Sequence, residues 1–228
     1  MQPRLRASRG GGAGVTRAAY HWAFSAGGGL GRRRLPLLDS PVMADPARKR
    51  ATYSDLQGLA EHLVAEILDG ELFTSPRPAA RHARAASSLG GELYGPFDRG
   101  RGGPGGWIIL DEPELHLSGD AVVPDLGGWR RERMPVLPEV TAFELAPDWV
   151  CEVLSPSTAP LDRTRKLPIY ARERVEYVWL VDPAQKTLEA LRLDGTGYRI
   201  VRAWHGADIV QAEPFEAHAL QLADLWSA

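Results

Sequence analysis

The sequence predicts an α+β fold with α/β character, in which helices flank a mixed central β-sheet. Short runs rich in β-branched and aromatic residues, such as 149–154 and 177–181, recur between turn signals built from Gly, Pro and Asp. Helical periodicity is confined to the segments near residues 53–68, 82–94 and 162–174. Strands therefore outnumber helices, and the helices are too few to alternate regularly with the strands.

The composition divides the chain into an N-terminal extension, residues 1–42, and a domain, residues 43–228. The extension contains seven Arg, no Lys, one acidic residue and two glycine tracts, so it cannot form a packed core. We expect it to be disordered and dispensable for the stability of the domain. It could be a basic arm, an Arg-rich transit peptide, or translated sequence upstream of a start at Met43, which is the simplest interpretation.

The charge of the predicted domain argues against a wide nucleic-acid surface. Residues 43–228 contain 20 basic and 28 acidic residues, a net charge of −8 with neutral histidines. Contact with a polyanion must then be local and metal-assisted, or be supplied by a partner. No stretch resembles a membrane span. The single cysteine, Cys151, lies inside a predicted core strand, which favours a reduced structural thiol and a cytoplasmic protein.

The first half of the chain predicts two helices and a hairpin. An amphipathic helix is expected over residues 53–68, with a change to strand near Ala65 as the alternative. Asp69-Gly70 signals a hairpin into a strand at residues 71–73. A second helix follows at residues 82–94, and the glycine-rich loop at 95–106 is long enough to be mobile or functional.

The second half is dominated by strands. They are predicted at residues 107–110, 121–123, 149–154, 177–181, 187–193 and 198–201, and a short strand or helical turn is predicted within 215–226. Residues 126–140 show no clear period and are expected to form a loop with strand pieces. The helix at 162–174 should kink or restart at Pro168.

Glu152 is unusual because it is a carboxylate within a predicted apolar strand. Burying an ionised carboxylate costs several kcal/mol unless a partner compensates. Strand alternation places Glu152 on the face of Leu154 and opposite Cys151. The candidate partners are a metal ion shared with another acid, or Lys166, which shares one helix face with Asp162 and Tyr170 at spacings of four.

The ordered segments ILDGELF, PRPxxxH, VVPDL, PDWVCEVLSPST, DRTRKLPIYA and VEYVWLVDP resemble the Uma2 family of endonucleases, within the PD-(D/E)XK nuclease superfamily. The resemblance covers residues 53–225. It implies a mixed sheet with an acid at the end of one strand and an acid-x-lysine motif on the next. Asp125 matches the first acid and Glu152 the second. Leu154 occupies the lysine's place, so the resemblance implies that the lysine has moved to Lys166 on the following helix.

The resemblance also implies a function, the metal-dependent hydrolysis of phosphodiester bonds in DNA. Asp125 and Glu152 would bind Mg²⁺, with Mn²⁺ as a substitute, and Lys166 would orient water or stabilise charge. Glu66 is the expected additional acid, although Asp69 and Glu71 compete with it. His82, Asp162 and Tyr170 are further candidates. A surface or core role for His82 and a surface ion pair between Asp162 and Lys166 remain as alternatives.

A second class of function is a non-catalytic binding or regulatory module with the nuclease fold. The acidic balance and the absence of a lysine at position 154 favour it. DNA is the expected partner of the catalytic form, with a homodimer as a possible assembly. For a catalytic Lys166, Lys166→Ala should leave the melting temperature nearly unchanged and slow cleavage by about a hundredfold.

Overall fold

The computed structural model describes residues 50–56, 59 and 63–227, so the predicted extension at 1–42 lies outside the described residues. The helices are α1 (Tyr53–Leu56), α2 (Ala80–Leu93), α3 (Ala159–Leu161) and α4 (Leu167–Arg172), with π-helical turns at Tyr94–Asp98 and Asp162–Lys166 and a 3-10 turn at Leu222–Leu225. The strands are β1 (Leu63–Leu68), β2 (Glu71–Pro76), β3 (Trp107–Asp111), β4 (Leu115–Leu117), β5 (Asp120–Val122), β6 (Leu126–Arg130), β7 (Trp149–Val153), β8 (Tyr177–Asp182), β9 (Thr187–Asp194), β10 (Gly197–His205), β11 (Ile209–Val210) and β12 (Leu220–Gln221).

The described strands form one large mixed sheet, a second sheet and a small ribbon. The large sheet has the order β10-β9-β8-β7-β6-β3, and its central pair β7 and β8 is parallel while its other pairs are antiparallel. The second sheet has the order β2-β1-β5-β4 and is antiparallel. β11 pairs with β12. The predicted α+β class with a mixed central sheet is therefore confirmed, and the second sheet is an addition to it.

The centre of the large sheet, at β7 and β8, is buried on both faces because different elements cover each side, whereas the edge strand β10 is largely exposed. On one face, Trp149, Cys151 and Val153 of β7 pack with α2 and the C-terminal segment. On the other face, Val150 and Leu154 pack with the second sheet and α4. This alternation confirms that Glu152 and Cys151 point to opposite faces. A strand that is covered on both sides has a nearly continuous apolar sequence, as β7 does.

The structure decides between the helix and the strand predicted within residues 53–68. Tyr53–Leu56 is a helical turn and residues 63–68 form β1, so the helix is wrong over 63–68 and the alternative of a strand near Ala65 is confirmed. The apolar residues at positions 63, 64, 67 and 68 fit both the helical and the strand period. As a strand, however, the segment forms hydrogen bonds with a neighbour on each side, β2 and β5. The hairpin between β1 and β2 is confirmed. Asp69 and Gly70 both have positive φ, of 54° and 80°, as its two-residue turn requires.

Residues 126–130, expected to be mostly loop, form the interior strand β6 between β3 and β7. Its two glycines hide the strand in the sequence, because they supply no apolar alternation. A Cβ on Gly127 would lie 2.8 Å from Pro113 Cγ, and one on Gly128 would lie 3.0 Å from Trp149 Cε3. Glycine is therefore required for the close approach of these neighbours.

The other predicted elements are confirmed with shifted ends. These are the second helix, the core strands at 107–110, 149–154 and 177–181, and the hairpin of β9 and β10. Leu89 and Leu93 of α2 are buried, as expected. The helix near residue 162 changes at Pro168 from a π-helical turn to α4. Among the described residues, no helix combines the length and the apolar character that crossing a membrane requires.

Cys151 is expected to resist thiol reagents in the native protein. Its side chain is fully buried, and this burial, together with the nearby charges of Asp125 and Glu152, raises the pKa of its thiol well above the ordinary value. Because the thiolate is the reactive form, both effects suppress labelling. Reaction with a chromogenic disulfide should occur only upon unfolding in denaturant. Rapid labelling of the folded protein would contradict this prediction.

Candidate active site

A cleft of about 270 Å³ opens between the two sheets. Its walls are the segment from Ser75 to Ala79, which joins β2 to α2, and the turn from Ser155 to Thr158, which follows β7. The buried or half-buried ionisable side chains within it come from β1, α2, the segment before β6, β7 and the π-helical turn. They are Glu66, His82, Asp125, Glu152, Asp162 and Lys166.

Glu152 lies at the base of the cleft and is held by two donors. The hydroxyl of Tyr170 donates to Oε1 at 2.5 Å, and Lys166 Nζ donates to Oε2 at 3.2 Å. All three side chains are buried. Glu152 therefore has the compensating partners that the cost of burying a carboxylate demands, and Lys166 is one of them.

Lys166 joins three carboxylates. Its Nζ lies 3.0 Å from Glu66 Oε1, 3.2 Å from Glu152 Oε2 and 3.5 Å from Asp162 Oδ1. It also donates to the carbonyl of Val123 at 3.2 Å, and the amide of Val123 donates to Glu66 at 2.8 Å. Since Asp162 and Lys166 are both buried, their interpretation as a surface ion pair is wrong.

The π-helical turn at Asp162–Lys166 has a local cause. Pro168 has no N–H, so the usual ladder of i to i−4 bonds is interrupted there, and the amide of Leu167 instead donates to the carbonyl of Asp162. The widened turn is followed by α4, which carries Tyr170. Asp162, Lys166 and Tyr170 all face the cluster, as their spacing of four predicted, and single π-helical turns are frequent at functional sites.

Asp125 occupies a shallower position than Glu152. The amide of Val153 donates to its Oδ2 at 2.6 Å, and Nε2 of His82 lies 3.3 Å from its Oδ1. The carboxylate of Asp125 is therefore fixed from both sides, by the strand that carries Glu152 and by α2. Nδ1 of His82 is buried and has no hydrogen-bond partner among the described residues.

The buried charges of the cluster shift one another's pKa values. Burial raises the pKa of Glu152 well above its ordinary value. The charge of Lys166 lowers this pKa, but the carboxylates of Asp162, Asp125 and Glu66 raise it further. Burial also raises the pKa of Asp162. For Lys166, burial lowers the pKa, but Glu152, Glu66 and Asp162 together outweigh burial and raise it well above the ordinary value. The lysine is thus kept as a cation.

His82 is influenced by the same charges. Burial lowers the pKa of its imidazole, but the hydrogen bond and the charge of Asp125, with the carbonyl of Val153, produce a net rise. His82 is half-buried on α2 and its imidazole lies beside Asp125, which argues against its alternative role as a surface histidine.

The structure separates the competing acids of the first hairpin. Glu66 points into the cluster, where it contacts Lys166. Asp69 and Glu71 lie outside the cluster on the surface, where each is 3.6 Å from Arg165. Glu66 is therefore the additional acid that the tertiary structure brings to Glu152. Leu154, at the position of the displaced lysine, is packed in the apolar core below the second sheet.

Several residues at the cleft had no predicted role. Arg77, Glu112 and Thr158 line it; Arg77 and Thr158 lie within the segments PRPxxxH and PDWVCEVLSPST, which were noted for the resemblance without a role for these two residues. Ser155 Oγ accepts a hydrogen bond from the amide of Thr158 at 3.2 Å, which stabilises the turn after β7.

The residues of the cluster fit a divalent cation in chemistry and charge. In the part of the chain that the structure describes, no three His, Cys, Asp or Glu side chains are arranged to hold a metal ion. Lys166 Nζ instead lies among the carboxylate oxygens. The carboxylates of Glu66, Asp125, Glu152 and Asp162 nevertheless line one cleft, and hard carboxylate oxygens are the ligands that Mg²⁺ prefers.

Comparisons with known proteins agree with this geometry. The model of a family described as "Uma2: Putative restriction endonuclease" matches residues 50–224. Among solved structures, the chain is similar to a "putative nuclease belonging to DUF820" from Anabaena variabilis ATCC 29413, with a TM-score of 0.59 and 20% sequence identity. That alignment covers 72% of this chain and 89% of the other, and supports the shared fold. No curated protein matches the sequence.

Proposed function

Because the chain belongs to the Uma2 family of restriction-endonuclease-like proteins, we propose that it is a metal-dependent endonuclease that hydrolyses phosphodiester bonds in DNA. Glu66, Glu152 and Asp162 surround Lys166, and Asp125 lines the same cleft; this convergence is the main support for the proposal. These residues come from four parts of the chain. Ordinary packing gives no reason to collect so many buried charges, and perturbed charges in a cleft are typical of functional sites.

Asp125 and Glu152 would hold a Mg²⁺ ion, with Glu66 beside them. The ion would lower the pKa of a bound water molecule and neutralise charge on the phosphate. The excess of carboxylates over cations in the cleft supports this role, because a divalent cation would offset most of it.

The protein's own residues would position these groups. Tyr170 and Lys166 fix both oxygens of Glu152, and the amide of Val153 with His82 fixes both oxygens of Asp125. Such fixed ligands need little rearrangement during the reaction, which is the basis of electrostatic preorganisation. The ammonium of Lys166 would stabilise negative charge that develops on the phosphate.

We expect Mg²⁺ or Mn²⁺ to support the cleavage of DNA, and EDTA to abolish it. The assay incubates purified protein with a supercoiled plasmid and with a single-stranded circle, so that a break in any strand changes mobility on a gel. Asp125→Asn protein, purified in the same way, controls for contaminating nucleases. Absence of cleavage of both substrates with both metals would contradict the proposal and favour the non-catalytic binding module.

A further inference from the structure

We propose that Glu66 is a positioning residue that acts through Lys166 and does not bind the metal. This inference rests on the proposed function and assigns a role within its site. It divides the acids of the cleft into a group that holds the lysine and a group that holds the metal. The division follows from the partners of each carboxylate, from their exposure and from the backbone that connects them.

One oxygen of Glu66 is already occupied by two donors. Lys166 Nζ lies 3.0 Å from Oε1, and the backbone amide of Val123 donates to the same oxygen at 2.8 Å. A carboxylate oxygen has about two lone-pair positions, so these donors use both of them. The contacts fix the orientation of the carboxylate toward the lysine, and Oε1 has no position left for a metal ion.

The ammonium of Lys166 has as many acceptors as it can use, because it carries only three N–H donors. Its Nζ donates to the carbonyl of Val123 and lies within 3.5 Å of three carboxylates. Those carboxylates come from β1, β7 and the π-helical turn, so they hold the ammonium from three parts of the fold. The contact with Glu66 is the shortest of the three, and its loss would leave the ammonium less firmly placed.

Asp125 belongs to a different set of contacts. Its oxygens contact the backbone of β7 and Nε2 of His82, and in the described part of the chain it forms no ion pair with Lys166. The side chain of Asp125 is 14% exposed, whereas that of Glu66 is 8% exposed. A metal ion that arrives from solvent therefore reaches Asp125 more readily than Glu66.

A short piece of backbone connects the two groups of acids. The amide of Val123 contacts Glu66, its carbonyl contacts Lys166, and Asp125 follows two residues later. Lys166 also donates to Glu152, the second acid assigned to the metal. The ammonium is thus fixed relative to both metal-binding acids, and Glu66 contributes to the reaction by placing this positive charge.

The first test is a calorimetric titration of Glu66→Gln protein with Mn²⁺ in the absence of DNA. Asp162→Asn is the matched control, because it removes the same charge from the same lysine. The two variants should have Mn²⁺ affinities within about threefold of each other, since each changes the field at the metal without removing a ligand. A Glu66→Gln affinity at least about tenfold below the control would identify Glu66 as a ligand, because affinity depends on the number of charged ligands. That result would overturn the inference and leave the nuclease proposal intact.

The second test observes the lysine itself by NMR. The chain contains three lysines, Lys49, Lys166 and Lys186, so protein labelled with ¹⁵N at lysine Nζ gives at most three ammonium signals. Lys49→Arg and Lys186→Arg identify the other two. Because Lys166 is buried and hydrogen-bonded, its ammonium protons should exchange slowly with water. Glu66→Gln should accelerate this exchange by about tenfold, since a neutral acceptor binds an ammonium more weakly than a carboxylate. Unchanged exchange would overturn the inference.

The same spectrum tests the wild-type protein, so the inference does not depend on the folding of a variant. Slow exchange of the Lys166 ammonium should persist in saturating Mg²⁺, because Glu66 stays with the lysine while the metal is bound. Loss of the slowly exchanging signal upon addition of Mg²⁺ would overturn the inference.

A kinetic test distinguishes positioning from structural support alone. In saturating Mn²⁺, at a temperature where the variant is folded, Glu66→Gln should lower kcat for DNA cleavage by about tenfold or more and leave KM within about twofold. The reason is that a displaced ammonium stabilises the developing charge less well. An unchanged kcat would overturn the inference. Absence of Mn²⁺ binding and of cleavage in the wild-type protein would instead overturn the inference together with the proposed function.

Discussion

Replacing Lys166 with alanine is expected to abolish DNA cleavage and also to lower the free energy of unfolding by about 3 to 5 kcal/mol. The lysine is buried and lies within 3.5 Å of Glu66, Glu152 and Asp162. Its removal leaves buried carboxylates without a cation, and breaking a buried pair in this way carries a penalty of that size. The burial of Lys166 among these acids replaces the sequence-based expectation of an unchanged melting temperature with the expectation of a loss of stability.

Loss of stability must be separated from loss of chemistry in this experiment. Arg172→Ala is the matched control, because Arg172 also pairs with a buried acid, Asp120 at 2.6 Å, but outside the cleft. It should lower the stability measured by urea unfolding while cleavage persists at a temperature where both variants are folded. Wild-type stability or wild-type cleavage in Lys166→Ala would contradict the role assigned to this residue.

Asp125→Asn is expected to weaken Mn²⁺ binding beyond detection and to slow cleavage by about 10² to 10³, the scale of removing one electrostatic stabiliser. Asp125 is less buried than Glu152, the other acid that would hold the metal. Its Oδ2 accepts a hydrogen bond from the amide of Val153, and its Oδ1 lies beside Nε2 of His82. An amide removes the negative charge that a hard cation requires. The measurement is a calorimetric titration with Mn²⁺ in the absence of DNA.

Glu112→Gln is the matched control for this titration. Glu112 also lines the cleft, but among the described residues it forms no hydrogen bond or ion pair with Glu66, Glu152 or Lys166, so the same change of charge is made away from the cluster. Its Mn²⁺ affinity should stay within about twofold of the wild type, since an exposed charge at a distance is screened. Stoichiometric Mn²⁺ binding by Asp125→Asn would remove Asp125 from the proposed site.

The fold was predictable where local patterns are unambiguous. β7 and β8 are continuous apolar runs, and Asp69-Gly70 specifies a two-residue turn, so these elements could be identified from neighbours in sequence alone. Residues 63–68 fit the helical and the strand period equally, and their pairing with β2 and β5 decided between the two. The strand pieces expected within residues 126–140 could not be located as β6, because Gly127 and Gly128 serve the packing of Pro113 and Trp149, which only the folded chain brings close.

The need of Glu152 for a partner follows from the amino-acid sequence, because a carboxylate within an apolar strand is too costly to bury alone. The spacing of four residues between Asp162, Lys166 and Tyr170 likewise identifies one helical face. The sequence does not show that Glu66 joins this cluster while Asp69 and Glu71 do not, nor that Lys166 is buried among three acids; these depend on the folded structure. The physical reason is separation along the chain. Glu66 and Lys166 belong to different layers, and their contact depends on how the second sheet and the helical segment that begins at α3 pack against the large sheet, which no local pattern encodes.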